Sequence, residues 1–462
     1  MSLILTSNPV ENAIANLIRS NKGKIYKVPN DNVVLLKTKT TDTSKNNSFA
    51  ILSGGGSGHE PSFAGFLDEN LLDCAICGEI FTSPSVGSVY NGLKYLIEKE
   101  KKQEILVIVM NYTGDRLHFG AAIEKAKIAY PDIKIEMFIV ADDKSLPENI
   151  KPRGLTGTLT YIRLAKAMRM DGNYDYNFDQ IISRLNEIQD QNLIGTVGCS
   201  VSNCSSKTEM KSVFANQFSL GLGIHGEPGF KQVVFEKADY NRKIDLMLKN
   251  VFDALNERLI PSKNSNNNNL LVTISNLGGF SKIEFANIVE AACQKLQKSK
   301  TDEQNLNILV GAGDLMTSLD MIGFNISFAY LTENEMTYFE KRIDNKNWPT
   351  FFVLVDNNLN SEDEKIDQNV NEPILKMQLT KNQSEILKKV CQKLYDIENR
   401  VNELDGKSGD GDCGNSFKRL ADFLLARFEI VENEKIEINV VQFLSSLAHS
   451  VRKFRIGIIF LA

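Results

Sequence analysis

From about residue 30 to residue 330, short apolar runs alternate with longer stretches whose apolar residues recur at helical spacing. Phe49 to Leu52, Ile105 to Met110, Ile135 to Val140, Leu271 to Ile274 and Ile308 to Val310 have the length and residue types of buried strands. Ala121 to Ala129 and Ile162 to Arg169 carry apolar residues on one helical face. Strands interleaved with helices predict an α/β fold. Glycine-bearing loops are expected after two of the strands, at Ser53 to Gly58 and Asn111 to Asp115. Open α/β sheets bind ligands beyond the carboxyl ends of their strands, so both loops are candidate site elements.

The same pattern divides the chain. An α/β part over residues 8–342 is expected in two sub-units, about 8–190 and 191–342, joined near the polar helical stretch Asp179 to Gln189. Asn358 to Asp367 is rich in Asn, Asp and Glu, which predicts a linker across 343–378. Ser384 to Arg400 and Ser416 to Ile430 have amphipathic helical patterning, so residues 379–462 are expected to form a separate α-helical unit. Ser262 to Asn269, which ends in four asparagines, predicts an exposed loop.

Composition adds exclusions. The chain has 462 residues, 42% hydrophobic and 24% charged, ordinary values for a folded protein of two or three domains. Its net charge of −5 and lack of a basic stripe argue against nucleic acid as a partner. Met1 to Arg19 lacks the layout of a secretory signal, and the closing apolar stretch Ile456 to Ala462 is far shorter than the roughly 20 residues of a membrane span. A cytosolic location without a membrane partner is expected. Seven cysteines spread along the chain read as reduced thiols, the lone pair Cys74 and Cys77 included.

Three segments hold candidate chemistry. The chain has only four histidines, and two sit among glycines and before Glu-Pro: His59 in Gly54 to Pro61, and His225 in Gly221 to Gly229. Glycines let backbone approach a ligand and free amide N–H groups to bind oxygen; a simple flexible turn is the alternative. No Gly-Lys-Ser/Thr follows, so this is not a Walker loop. His59 and Glu60 are expected to begin a helix with Pro61 in its first turn. His225, expected to have little side-chain cover, suits a base, metal ligand or nucleophile. Asp115 stands beyond the end of a predicted strand, where a substrate-facing carboxylate and a cap on a helix starting near Leu117 fit equally well. Asp405, Asp410 and Asp412 are interleaved with Gly406, Gly409 and Gly411. A tight loop can converge them on a hard cation such as Mg²⁺, with a solvated acidic loop as the alternative.

Through Leu52 to Pro61, Cys77 to Pro84, Asn111 to Phe119, Gly221 to Gly229, Asn276 to Gly279, Met316 to Gly323 and Leu404 to Gly414, the chain resembles the single-chain, ATP-dependent dihydroxyacetone (glycerone) kinases, the family that includes triokinase/FMN cyclase. The resemblance implies a two-part α/β substrate domain followed by an all-α nucleotide domain, and a kinase that transfers the ATP γ-phosphate to dihydroxyacetone. It implies that His225 holds the ketone carbon as a hemiaminal and that Gly56, Ser57, Gly58 and His59 contact substrate, with His59 and Asp115 assisting by proton transfer. Met110 stands where relatives usually carry a substrate-side lysine. Asp405, Asp410 and Asp412 are the implied ligands of two Mg²⁺ ions, and Asp410, Gly411, Asp412 and Cys413 the implied nucleotide contacts. A homodimer is also implied.

The family's helical domain extends well past the aspartates, whereas the resemblance here fades after about Val451. An incomplete nucleotide domain, from a shifted reading frame or a truncated gene model, is therefore expected, with weakened ATP binding. Two other activities remain open: a ketone-binding protein without kinase turnover and, as the resemblance to some animal relatives implies, an FAD-AMP lyase supported by Mn²⁺.

Overall fold

The computed structural model describes residues 7–21, 23–37, 48–147, 150–170, 176–202, 216–227, 229–235, 240–259, 269–300, 306–354, 376–377, 381–407, 411, 413–434 and 438–439. The chain divides into two compact units, residues 1–358 and 359–462.

The first half of the larger unit runs α1 (Pro9–Ser20), β1 (Ile25–Lys27), β2 (Val33–Leu36), β3 (Phe49–Ser57), β4 (Cys74–Ile80), α2 (Val86–Glu98), β5 (Glu104–Met110), α3 (Thr113–Ala129), β6 (Lys134–Val140), α4 (Gly157–Met170) and α5 (Phe178–Asp190). Its six strands are ordered β1-β2-β4-β3-β5-β6. The ladders β4-β3, β3-β5 and β5-β6 are parallel, which places the carboxyl ends of β3, β4 and β5 along one edge of the sheet. Parallel strands covered on both faces read as continuous apolar runs, and β5 shows why. Ile105, Val107 and Val109 face α2 and α3, in a core with Leu93, Leu96, Phe119 and Ile123. Leu106, Ile108 and Met110 point to the opposite face, where α4 and α5 pack.

The second half runs β7 (Ile194–Ser200), β8 (Gln217–Leu220), β9 (Lys231–Val234), α6 (Tyr240–Arg258), β10 (Asn269–Asn276), α7 (Lys282–Lys300), β11 (Asn307–Gly313), β12 (Gly323–Leu331), α8 (Glu333–Glu340) and β13 (Phe352–Val353). Its seven strands are ordered β13-β11-β10-β12-β7-β8-β9, with β10-β11 parallel and the other pairs antiparallel. One apolar core, from Val10 to Leu354, is continuous between the two sheets. The fold is mixed α/β.

Several expectations shift. The strand read as Phe49 to Leu52 runs on through the glycines to Ser57, because β4 pairs with Gly54 and Gly55. His59 and Glu60 begin no helix: residues 58–63 form turns clamped by other loops, and a single 3-10 turn follows at Ala64–Phe66. Asn269 is no loop residue but the buried first residue of β10. Residues 343–354, read as the start of a linker, pack on the larger unit. There Phe352 pairs with Val310, and Ile343 and Leu354 are buried. The stretch Asp179 to Gln189 lies within α5, whose stripe Phe178, Ile181, Leu185 and Ile188 is buried behind an Asn177–Gln180 capping box.

In the smaller unit the described elements are β14 (Lys376–Met377), α9 (Lys381–Asp396), α10 (Glu398–Asp405), α11 (Cys413–Glu434) and β15 (Ile438–Asn439), with β14 paired to β15. The helix read as Ser384 to Arg400 is broken at Ile397, between α9 and α10. Among the described residues no helix is long and apolar enough to cross a membrane.

Candidate functional site

The carboxyl ends of β3, β4 and β5 deliver three segments to one place. After β3 come Gly58 and His59; after β4 comes Phe81; after β5 come Tyr112 and, in the first turn of α3, Asp115. The second sheet supplies two more. His225 sits in the turn between β8 and β9, and Thr317 in the loop between β11 and β12.

Backbone hydrogen bonds lock the first-sheet turn to the second-sheet loop. Thr317 N donates to His59 O at 3.2 Å, Leu319 N to Gly58 O at 2.9 Å, and the Thr317 hydroxyl to Glu60 O at 2.7 Å. Gly58 has φ +105, and a Cβ there would strike the Phe81 ring, so only glycine lets the turn close over that ring. His59 is buried as a result.

The two histidines, 166 residues apart, meet through their Nε2 atoms at 3.0 Å. On the far side of each ring the partner is an acceptor: the Thr317 carbonyl lies 2.8 Å from His59 Nδ1, and Glu227 Oε1 lies 2.9 Å from His225 Nδ1. Burial, then the adjacent His225 charge, pushes His59 down to about 3, so its ring is neutral. Burial works to raise the Glu227 carboxyl, but hydrogen bonds and charge from His225 outweigh it and hold the group at about 2. His225 does not lie on an open stretch as expected. Phe81, Tyr112 and His59 rings stand around it with centroids 5.3, 4.9 and 4.8 Å away, leaving its side chain 23% exposed.

Asp115 is no cap: Tyr112 occupies the N-cap position of α3, which starts at Thr113. The Asp115 carboxylate is buried, its Oδ1 has no hydrogen-bond partner, and burial raises its pKa despite a Ser83 hydrogen bond and the His225 charge. Beside it Met110 is 2% exposed, its methyl carbon 3.7 Å from where a Gly55 Cβ would stand, with Asp115 Oδ2 4.0 Å from the same point. A carboxylate that is buried and incompletely paired holds a proton more readily than an exposed one. Gly56 packs on the Phe81–Thr82 backbone, and the Ser57 hydroxyl donates to Gly78 O at 2.7 Å, within the sheet.

In the smaller unit Asp405 Oδ2 accepts Gly411 N at 2.9 Å and Cys413 N at 3.3 Å, and Asn402 Oδ1 accepts Gly414 N at 2.6 Å. Both side chains thus cap the start of α11. Asp410 and Asp412 lie outside the described residues.

Sequence reasoning missed Glu227, Tyr112, Phe81 and Thr317. Glu227 stood two residues from His225 and could have been found as the ring's orienting carboxylate. Thr317 could not, because it contributes a carbonyl that any residue has.

The Dak1 domain family matches residues 15–347. A dihydroxyacetone kinase of Citrobacter freundii is 32% identical over 427 residues, covering 90% of this chain and 70% of the relative. A triokinase/FMN cyclase of Mus musculus is 31% identical over 422 residues, covering 89% of this chain and 69% of the relative. Among solved structures, the C. freundii dihydroxyacetone kinase in complex with AMP-PNP and Mg²⁺ superposes with TM-score 0.66 at 28% identity, covering 94% of this chain and 76% of that one.

Proposed function

The chain belongs to the Dak1 domain family of dihydroxyacetone and triose kinases, and on that premise we propose that it binds dihydroxyacetone as a hemiaminal on His225 and phosphorylates it from ATP. The observation that carries the reading is the Nε2 to Nε2 contact of His59 and His225 at 3.0 Å. It puts a second imidazole beside the nucleophilic nitrogen, where it can receive and return a proton. A ketone carbon attacked there leaves both primary hydroxyls intact, and glycerol, lacking a carbonyl, forms no such bond. The buried Asp115 takes the proton of the hydroxyl that is phosphorylated, with Gly56, Ser57, Gly58 and Met110 bordering the sugar.

Asp405, Asp410 and Asp412 would hold Mg²⁺, with Gly411 and Cys413 beside the nucleotide. Asp405 fits that role as a hard oxygen donor fixed by two backbone N–H groups. Bound Mg²⁺ would supply charge neutralisation for the phosphates. The relative's structure with AMP-PNP and Mg²⁺ supports this choice of co-substrate and ion. A homodimeric assembly belongs to the same proposal.

ADP release from ATP that requires both dihydroxyacetone and Mg²⁺, and that His225→Ala abolishes, is the expected result. Adduct formation without turnover would instead identify a ketone-binding protein. The relative named triokinase/FMN cyclase favours one further assay: AMP release from FAD with Mn²⁺ that persists in His225→Ala would add the lyase reaction.

A further inference from the structure

The hydrogen bonds around the histidine pair overdetermine where its protons lie. The Thr317 carbonyl can only accept, so His59 Nδ1 carries hydrogen. The Glu227 carboxylate can only accept, so His225 Nδ1 carries hydrogen as well. A neutral imidazole has one N–H, so two neutral rings in these tautomers would confront each other with lone pairs on both Nε2 atoms. A 3.0 Å contact between two Nε2 atoms is a hydrogen bond only when one of them carries a hydrogen, so the contact calls for one further proton in the pair.

Glu227 is built to stand there. Its Oε2 accepts the backbone N–H of His225 at 3.0 Å, and its own carbonyl accepts Gly223 N at 2.9 Å. A Cβ on Gly223 would collide with the Glu227 carboxylate and the Arg153 guanidinium, so the missing side chain makes room for both. Arg153 is itself fixed by Asp143 at 2.7 Å and the Gly221 carbonyl at 2.7 Å. The other titratable groups facing His225 are His59 from the turn after β3, and Tyr112 and Asp115 from the start of α3. Glu227 is the one that touches Nδ1.

Resting on the reading of His225 as the carbonyl-binding residue, we infer that Glu227 is its positioning residue and the fixed counter-charge of the adduct. The chemistry balances without a co-reactant. His225 Nε2 passes its proton to His59 Nε2, and the freed electron pair forms the bond to the carbonyl carbon. The carbonyl π pair moves to oxygen, which takes the proton from His59. His225 then bears carbon on Nε2 and hydrogen on Nδ1, so its ring is an imidazolium, and that charge faces Glu227. Without a carboxylate at 227, the half-buried cation would have to shed its Nδ1 proton or expel the ketone.

The test uses the full-length chain labelled with ¹⁵N-histidine and titrated with [2-¹³C]dihydroxyacetone, read by NMR. In the wild type, a C2 signal coupled through one bond to a histidine ¹⁵N should appear, together with a His225 ring that keeps its Nδ1 hydrogen and imidazolium nitrogen shifts. Glu227→Gln should weaken adduct formation at least tenfold, and Glu227→Asp should recover part of that loss. An adduct in Glu227→Gln as tight as in the wild type overturns the inference while leaving the adduct on His225 intact. If Glu227→Gln does not fold, the wild-type spectrum still decides, because an adduct ring without Nδ1 hydrogen overturns it. A C2 signal coupled to a histidine ¹⁵N in His225→Ala, or none in the wild type, overturns this inference and the underlying reading together.

Discussion

Lys166 on α4 reaches Asp73 at the start of β4, 2.7 Å away, with both side chains less than a tenth exposed. The same Asp73 oxygen accepts Ile51 N at 2.8 Å, so one carboxylate ties a helix to β3, the strand that ends in the site. Removing one partner leaves a charge uncompensated in the interior, which costs about 3–5 kcal/mol. Lys166→Met alone is expected to lower stability by that order, and Asp73→Asn with Lys166→Met by less than the sum of the single changes. Denaturant unfolding of the four proteins measures both.

The neutral state of His59 makes stability depend on pH. Burial and then the His225 charge depress the ring from 6.5 to about 3. Between those values the unfolded chain binds a proton that the folded chain refuses. Stability therefore rises with pH across the window and is lost as pH falls from about 6.5 towards 3, by at most about 1.4 kcal/mol per unit from this group. His59→Asn should flatten the dependence of the urea midpoint between pH 6.5 and 4.5. Parallel curves for variant and wild type would contradict a neutral His59.

On the proposed reading, Met110 bears on the working range of Asp115. Burial raises the carboxyl, and the neighbouring thioether offers no charge to counter it. The acid limb of the pH–rate profile should accordingly stand above the ordinary carboxylate range. Met110→Lys places an ammonium group near the carboxylate and favours its ionised form, so that limb should move down by about one unit or more. An unmoved limb would mean that Asp115 is not the group titrating in turnover.

On the proposed reading, Asp405 separates the two halves of the reaction. Asp405→Asn keeps an acceptor for the N–H groups of Gly411 and Cys413 but removes the charge a magnesium ion needs. Phosphoryl transfer should fall by about 100-fold or more at fixed Mg²⁺, since the ion contributes several kcal/mol to catalysis, while the hemiaminal signal stays as in the wild type. Loss of the signal as well would place Asp405 in the fold rather than in catalysis.

Legibility along the chain followed chemistry. β5 could be read because a strand buried on both faces leaves an unbroken apolar run, and α3 because one buried helical face leaves a periodic one. The glycines of β3 looked like a loop because composition cannot show that β4 lies alongside to pair them. His59, His225 and Asp115 announced themselves by residue type. Their meeting was implied by the family resemblance but not by local pattern, since it depends on a turn of one sheet and a loop of the other being clamped together through Thr317 and Leu319. The expected helix at His59 failed for that same reason, as tertiary hydrogen bonds overrode a local proline signal.

The continuous core and the paired rings mean that neither sheet owns the surroundings of His225. A chain severed in the connection between α5 and β7 would give one fragment bearing His59 and another bearing His225 and Thr317, each with half of the apparatus. If His225 captures the ketone as proposed, capture would return only when the fragments reassociate, so the sugar itself becomes a reporter for split-protein complementation across this interface.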